Sequence, residues 1–178
     1  MYNIVDNFLP QEQYEAIYEQ MTSNSFYWFM STDAAGYEVT KLGDDHKYNF
    51  QMYHTFLNSS GKRQTMDIIK PLIDAINPRE ILRIKANLNP ATEEIIEHGM
   101  HIDINPPQAA AFATTAVYYL NDNNGYTKFA DGTVIESKAN RVVAFRAGTL
   151  HTGSTCTDQK YRMVININYI ENPEDTHA

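Results

Sequence analysis

Ile81-Leu82-Arg83-Ile84-Lys85-Ala86-Asn87-Leu88 is where the chain changes texture. Apolar and polar residues alternate through it with period two, the signature of a strand with one buried face. Upstream the spacing is helical. Tyr14, Ile17, Tyr18 and Met21 predict an amphipathic helix over 11–22, opened by Pro10, whose missing N–H costs nothing in a first turn. Met66, Ile69, Leu72, Ile73 and Ile76 predict a second helix, restarted or kinked at Pro71 and ended by Asn77-Pro78. Residues 3–9 read as a short strand, Tyr48, Phe50, Met52 and Tyr53 as another, and Phe26-Tyr27-Trp28-Phe29 as core or sheet. Downstream, strand patterns follow one another at 100–104, 113–120, 127–130, 133–136, 141–145 and 162–170, with Asp131-Gly132 as a two-residue hairpin turn. Helices first and strands after predict an α+β fold: a jelly-roll core of antiparallel strands flanked by N-terminal helices. Residues 1–178 read as one domain, with helical support over 1–80 and a β core over 81–170.

The 178 residues suffice for a substantial core, and 43% hydrophobic with 20% charged residues is a globular composition. The formal net charge of −8 is a poor match for phosphate backbones, which argues against nucleic acid as a partner. Cys156 is the single cysteine, so no disulfide can form within the chain. It reads as a spare thiol and favours a reducing, cytoplasmic compartment. Met1-Tyr2-Asn3-Ile4-Val5-Asp6 lacks the pattern of a signal peptide, and no apolar stretch reaches the ~20 residues that span a bilayer.

Met100-His101-Ile102-Asp103-Ile104 alternates like a half-buried strand, which would aim His101 and Asp103 to one side. With His151 they supply two histidines and one carboxylate, the ligand set of non-heme Fe(II) sites that keep positions open for chemistry. His46, His54, His98 and His177 fall outside the set, although His98 is near enough in sequence to replace His101 as a ligand. In the last strand, Arg162, Val164, Asn166 and Asn168 share one face while Met163, Ile165 and Ile167 share the other. A buried Arg162 requires a partner. Either the carboxylate of a bound oxo acid or an internal Asp or Glu would serve.

These residues lead to a family. The chain resembles the Fe(II)/2-oxoglutarate-dependent dioxygenases, most closely their prolyl 4-hydroxylase-like branch. The resemblance runs from Ile4-Val5-Asp6-Asn7-Phe8-Leu9-Pro10 through His101-Ile102-Asp103 and Val117-Tyr118-Tyr119-Leu120-Asn121. It continues through Gly125-Tyr126-Thr127-Lys128-Phe129 and Asn140-Arg141-Val142-Val143-Ala144-Phe145 to His151 and Tyr161-Arg162. It implies a double-stranded β-helix with Fe(II) on His101, Asp103 and His151. It also implies 2-oxoglutarate and O2 as cosubstrates, with Arg162 on the distal carboxylate of 2-oxoglutarate. Tyr119, Thr127 and Asn166 would line the same pocket, Tyr119 being equally readable as plain core. The implied activity is C–H hydroxylation, with peptidyl proline as one candidate substrate, and release of succinate and CO2.

The chain departs from that pattern in four places. Tyr126 replaces the second glycine of a Gly-Gly pair, and Val164 removes an Arg-x-Ser signature. Asn168 stands where protein hydroxylases can carry an aromatic residue, and the second downstream arginine of nucleic-acid demethylases is missing. Three readings stay open: a peptidyl hydroxylase, a small-molecule or amino-acid hydroxylase, and a non-catalytic β-helix binding protein. Loops 89–99 and 105–111 read as flanking the metal, the second stiffened by Pro106-Pro107. Glu93, Glu94 and Glu97 either steer a cationic or peptidyl substrate or form a merely solvated acidic loop.

Overall fold

The computed structural model describes residues 2–32, 50–104, 110 and 112–172. Tyr48, His46, His177 and most of loop 105–111 lie outside the described residues. Helix α1 (Gln11–Thr22) follows Pro10, which is its N-cap and accepts the first backbone bonds, from Gln13 and Tyr14. A 3-10 turn (Met66–Ile69) runs into helix α2 (Lys70–Ile76), so the chain restarts its helix at Pro71, in the first turn of α2. Asn77, in the left-handed conformation, caps the end.

Among the described residues, ten strands form two antiparallel sheets: β1 (Asn3–Val5), β2 (Phe29–Ser31), β3 (Gln51–Leu57), β4 (Glu80–Pro90), β5 (Thr114–Tyr119), β6 (Tyr126–Phe129), β7 (Val134–Glu136), β8 (Arg141–Arg146), β9 (His151–Gly153) and β10 (Tyr161–Ile170). The larger sheet has the order β1-β8-β5-β10-β4-β3-β2, and the smaller has β7-β6-β9. This is a double-stranded β-helix. The N-terminal part is more than helical support, since β1, β2 and β3 all join the larger sheet.

The alternation in β10 decides how the layers stack. Met163, Ile165 and Ile167 turn outward, where they pack with Ile84, Ala86 and Tyr118 against Ile17, Met21, Ile69 and Leu72 from the helical layer. Val164 turns inward with Val117, Tyr119, Val143 and Phe145 and meets Phe129 and Ile135 of the smaller sheet. The polar residues of β10 share that inward face, so they are enclosed between two sheets.

Two sequence expectations are corrected. Residues 100–104 are not a strand. His101 makes one isolated bridge to His151, with backbone bonds of 2.8 and 3.0 Å, and the chain then bends at Asp103. The alternation there was real, but no neighbouring strand extends the ladder among the described residues. The turn between β6 and β7 is also longer than Asp131-Gly132 alone. Gly132 donates to Phe129 at 3.0 Å and Phe129 to Thr133 at 2.9 Å, with Gly132 at φ +89°. That is a type I turn closed by a left-handed glycine, the three-residue alternative for a hairpin.

One side chain ties the segment between β1 and α1 to β5 of the larger sheet. Asn140 is buried at φ +58°, accepts from the Leu9 N–H (2.9 Å) and the Tyr118 hydroxyl (2.8 Å), and donates to the Leu9 carbonyl (2.8 Å). Asn140→Ala strands all three groups and puts a Cβ-bearing residue without local compensation at positive φ, so a stability loss of roughly 2–4 kcal/mol is expected. A urea titration checks it: the midpoint should drop at unchanged m-value, and Asn140→Gly should not recover it.

Candidate metal centre

His101 and His151 are brought together by their own bridge, which sets the ring centroids 4.8 Å apart. Each ring is oriented by a local carbonyl. Nδ1 of His101 lies 3.1 Å from the Gly99 oxygen, and Nδ1 of His151 lies 2.9 Å from the Thr149 oxygen. A carbonyl only accepts, so each Nδ1 carries the hydrogen and each Nε2 presents a lone pair. Both lone pairs face Asp103: Nε2 of His101 is 3.9 Å from Oδ1, and Nε2 of His151 is 3.7 Å from Oδ2. The three ligand atoms lie within 4.8 Å of one another. Rings oriented by the Gly99 and Thr149 carbonyls, with a carboxylate shared between them, fit a divalent metal ion.

Asp103 is held by a residue the sequence had marked only as a departure. Asn168 is fully buried and donates through Nδ2 to Thr115 Oγ1 (2.8 Å) and to Asp103 Oδ2 (3.4 Å). The bend at Asp103 therefore does what the expected strand would have done, by carrying the carboxylate back to β10. Burial pushes the Asp103 carboxyl up, but the His151 and His101 imidazoles and the Arg83 guanidinium together hold it below the usual carboxylate range. Burial pushes the His151 imidazole down, with Asp103 opposing. Phe145 packs edge-on against His151 at 4.9 Å, forming an apolar wall.

A cavity opens beside the triad, lined by His101 and His151 and also by Arg162, Thr127, Asn166 and His98. Arg162 is 2% exposed. Its Nε donates to Ser137 Oγ at 2.8 Å and its Nη2 to Thr127 Oγ1 at 3.0 Å. Among the described residues no carboxylate lies within ion-pair distance, so the internal acidic partner is absent there. Two glycines make room for it. A Cβ on Gly125 would come 2.7 Å from the Arg162 Cδ, and one on Gly153 would come 3.3 Å from Nη1. Tyr119 stands behind Thr127: its hydroxyl donates to Thr127 Oγ1 at 2.8 Å, and the guanidinium carbon lies 5.5 Å from its ring centroid.

Asn166 lines the cavity as the strand parity predicted, but Asn87, Asn89, Gln51 and His98 line it too. Asn87 and Asn89 sit at alternate positions of β4, which runs on through Asn89, where the sequence pattern places the start of a loop. His98 is not one of the three clustered ligands. It is 4% exposed, both ring nitrogens lack partners, and burial first, then Arg162 and His101, push its imidazole down to about 4. The side-chain oxygens of Asn87, Asn89 and Asn166 are orphaned likewise. Such a concentration of unpaired polar atoms marks a ligand cradle. At the rim, Glu97 pairs with Lys128 Nζ (2.9 Å) and accepts from the Tyr126 hydroxyl (2.8 Å), which removes it from the supposed acidic mouth.

No protein-family model and no curated protein sequence matches the chain. Solved structures do. A prolyl-4-hydroxylase from Pseudomonas putida superposes with TM-score 0.62 at 16% identity, covering 96% of this chain and 92% of that one. A prolyl hydroxylase from Trichoplax adhaerens, solved with a hypoxia inducible factor oxygen degradation domain peptide, gives 0.67 at 13% identity, covering 96% and 83%. HygX from Streptomyces hygroscopicus, solved with nickel and 2-oxoglutarate, gives 0.59 at 8% identity, covering 97% and 83%. The chain therefore has the fold of the 2-oxoglutarate- and Fe(II)-dependent oxygenases, prolyl 4-hydroxylases among them. No helix among the described residues is long and apolar enough to cross a membrane.

Two measurements follow from this geometry. Asn168→Ala should weaken divalent-metal affinity by roughly 10- to 100-fold while the circular-dichroism spectrum is retained, because the carboxylate ligand loses its orienting donor. Competition titration against a chromogenic chelator reads this directly. The second concerns His98. It stays neutral in the folded chain down to about pH 4, whereas a free imidazole protonates near 6.5. Below ~6.5 the unfolded chain binds the extra proton, so this contribution is whole above ~6.5 and is lost progressively as pH falls towards 4. Its size is of order 3 kcal/mol. Urea midpoints should fall less steeply from pH 7 to 4 in His98→Phe than in the parent chain; equal slopes would show that His98 is not buried neutral.

Proposed function

We propose that the protein is an Fe(II)- and 2-oxoglutarate-dependent dioxygenase that hydroxylates a C–H bond of its substrate and releases succinate and CO2. One observation carries the reading: both histidines of a two-histidine, one-carboxylate cluster line the same cavity as a buried arginine that has no carboxylate partner among the described residues. His101, Asp103 and His151 would hold the metal. Arg162, steadied by Thr127 and Ser137, would take the far carboxylate of the oxo acid, with Tyr119 fixing the Thr127 hydroxyl behind it. Asn166 and His98 would line its flank. When bound, iron with 2-oxoglutarate supplies O2 activation coupled to oxidative decarboxylation, one oxygen atom going to succinate and one to the substrate.

The protein's own part is positional. The Nδ1-bound carbonyls keep both imidazoles in the tautomer that ligates. The fixed guanidinium sets the direction in which a bound dicarboxylate points, which determines the geometry at the metal. Phe129, Phe145, Val117 and Val164 close one side with apolar surface and limit water. The prolyl hydroxylases with this fold support peptidyl proline as a candidate substrate, and the nickel- and 2-oxoglutarate-bound HygX supports the cosubstrate.

The test is spectroscopic. Fe(II) and 2-oxoglutarate added without oxygen should produce a visible metal-to-ligand charge-transfer band. His101→Ala should abolish it. Arg162→Met should raise the 2-oxoglutarate concentration needed for half-maximal signal by roughly 30-fold or more, the cost of deleting one member of a buried charge pair. A folded protein that binds metal but gives no band would overturn the oxygenase reading in favour of a binding protein.

A further inference from the structure

Strand β4 turns Arg83 and Lys85 to the same side as Asn87 and Asn89, which line the cavity, while Ile84 and Ala86 go to the helical core. Across the ladder these meet Asn168, Asn166, Val164 and Arg162 in turn. The two arginines thus stand at opposite ends of one polar row. Six residues of strand separate Asn168 from Arg162, about 20 Å at the usual rise, so the two guanidinium groups serve different anions.

Arg83 is held in place by an irregularity. Asn168 pairs with Arg83 but Tyr169 pairs with Ile81, so Leu82 is bulged out of register. Leu82 packs with Ile104 and Ile170 against Ala110, Ala113 and Ala147, which anchors the bulge. Beside it Arg83 faces Asn168, the residue that holds Asp103. Arg83 is half-buried and makes no hydrogen bond or ion pair among the described residues. Among the other cations of the described residues, Arg141 and Lys138 are matched by Asp6, Lys128 by Glu97, Lys70 by Asp74 and Lys85 by the Tyr53 ring at 5.1 Å, while Lys62, Arg63, Arg79, Arg146 and Lys160 lie exposed to solvent. The Asp103 carboxyl feels the Arg83 charge, but it is shared with the His101 and His151 imidazoles, and in a chain of net charge −8 the lack of a carboxylate of its own is not explained by a shortage of them.

Charge counting says what it lacks. A divalent metal on neutral imidazoles and one carboxylate leaves one positive charge. A dianionic oxo acid and Arg162 bring the sum to zero. Arg83 then remains as one surplus positive charge within electrostatic reach of Asp103, in a partly desolvated place where charge is costly unless paired. A single carboxylate balances it, and a guanidinium fork matches a carboxylate in shape.

We infer that Arg83 binds a carboxylate of the molecule to be oxidised, so the substrate is a small organic acid or a peptide's acidic end rather than the interior of a chain. This rests on the oxygenase reading and narrows it. The probe is a panel of N-acetyl amino acids and short mono- and dicarboxylic acids, each beside its carboxamide. Succinate formation is followed with the Fe(II)- and 2-oxoglutarate-loaded protein. Stimulation should be confined to the acids. Arg83→Gln should lower kcat/KM for the best acid by about 30-fold, mainly through KM, and Arg83→Lys should recover part of it. The anaerobic charge-transfer titration should give 2-oxoglutarate affinity within about twofold of the parent in both variants, which also shows that they fold. Equal stimulation by amides, no stimulation by any acid, or an indifferent Arg83→Gln would overturn the assignment while the band persists. Loss of the band in the parent protein would instead remove the oxygenase reading itself.

Discussion

A buried guanidinium organises this molecule. Arg162 enters the space between two sheets with only hydroxyl partners around its nitrogens, and the surroundings are shaped to accept it. Gly125 and Gly153 are bare where a Cβ would meet its side chain. Thr127, Ser137 and Tyr119 come from three elements and converge on it or on one another. A charge so placed is stable only with compensation, and neutral hydroxyls supply part of it. The remaining demand is for an anion, and the cavity next to the guanidinium is where one would lie. The same strand must bury Met163, Ile165 and Ile167 on its other side, so the register of β10 fixes helical packing and site geometry together.

The metal cluster depends on that register less directly. His151 sits at the end of the ladder between β6 and β9, opposite Phe129, and His101 joins it through a single bridge. What fixes them is the pair of carbonyls behind the rings, and what fixes Asp103 is Asn168. Asn168 lies six residues after Arg162 on the same face of β10, close to the bulge at Tyr169. One strand thus carries both the buried guanidinium of Arg162 and the amide that holds Asp103, with Asn166 between them.

Much of this was legible in the sequence because the signals were periodic. The alternation in residues 162–170 gave the two faces of β10, and the alternation in 81–88 gave β4. The helical spacing around Met66–Ile76 gave a restart at Pro71 that the structure contains. What stayed hidden came from tertiary partners. Residues 100–104 have the pattern of a strand, yet only His101 finds a ladder partner among the described residues. Asn168 looked like the loss of an aromatic residue, and only the bend at Asp103 shows it as a donor to the carboxylate. His98 was set aside as a spare ligand because its sequence position says nothing about a cavity assembled from β3, β4, β9 and β10.

The distribution of unpaired atoms ties these features together. Among the described residues, the buried side-chain nitrogens and oxygens without a partner belong to Asn87, Asn89, His98, Asn166 and Asn168. All lie on the inner surface between Arg162 and Asp103. A fold that satisfies its polar groups elsewhere has concentrated its deficits in one place, at about 1–3 kcal/mol for each group left without a partner. Such deficits persist where a ligand relieves them, since what the empty site forfeits in stability it recovers as affinity. The helical layer and the apolar seam between the sheets hold the frame rigid enough to carry that cost. Orphaned amides and an imidazole along the flank, a guanidinium held only by hydroxyls at one end and a carboxylate-centred cluster at the other therefore share one inner surface.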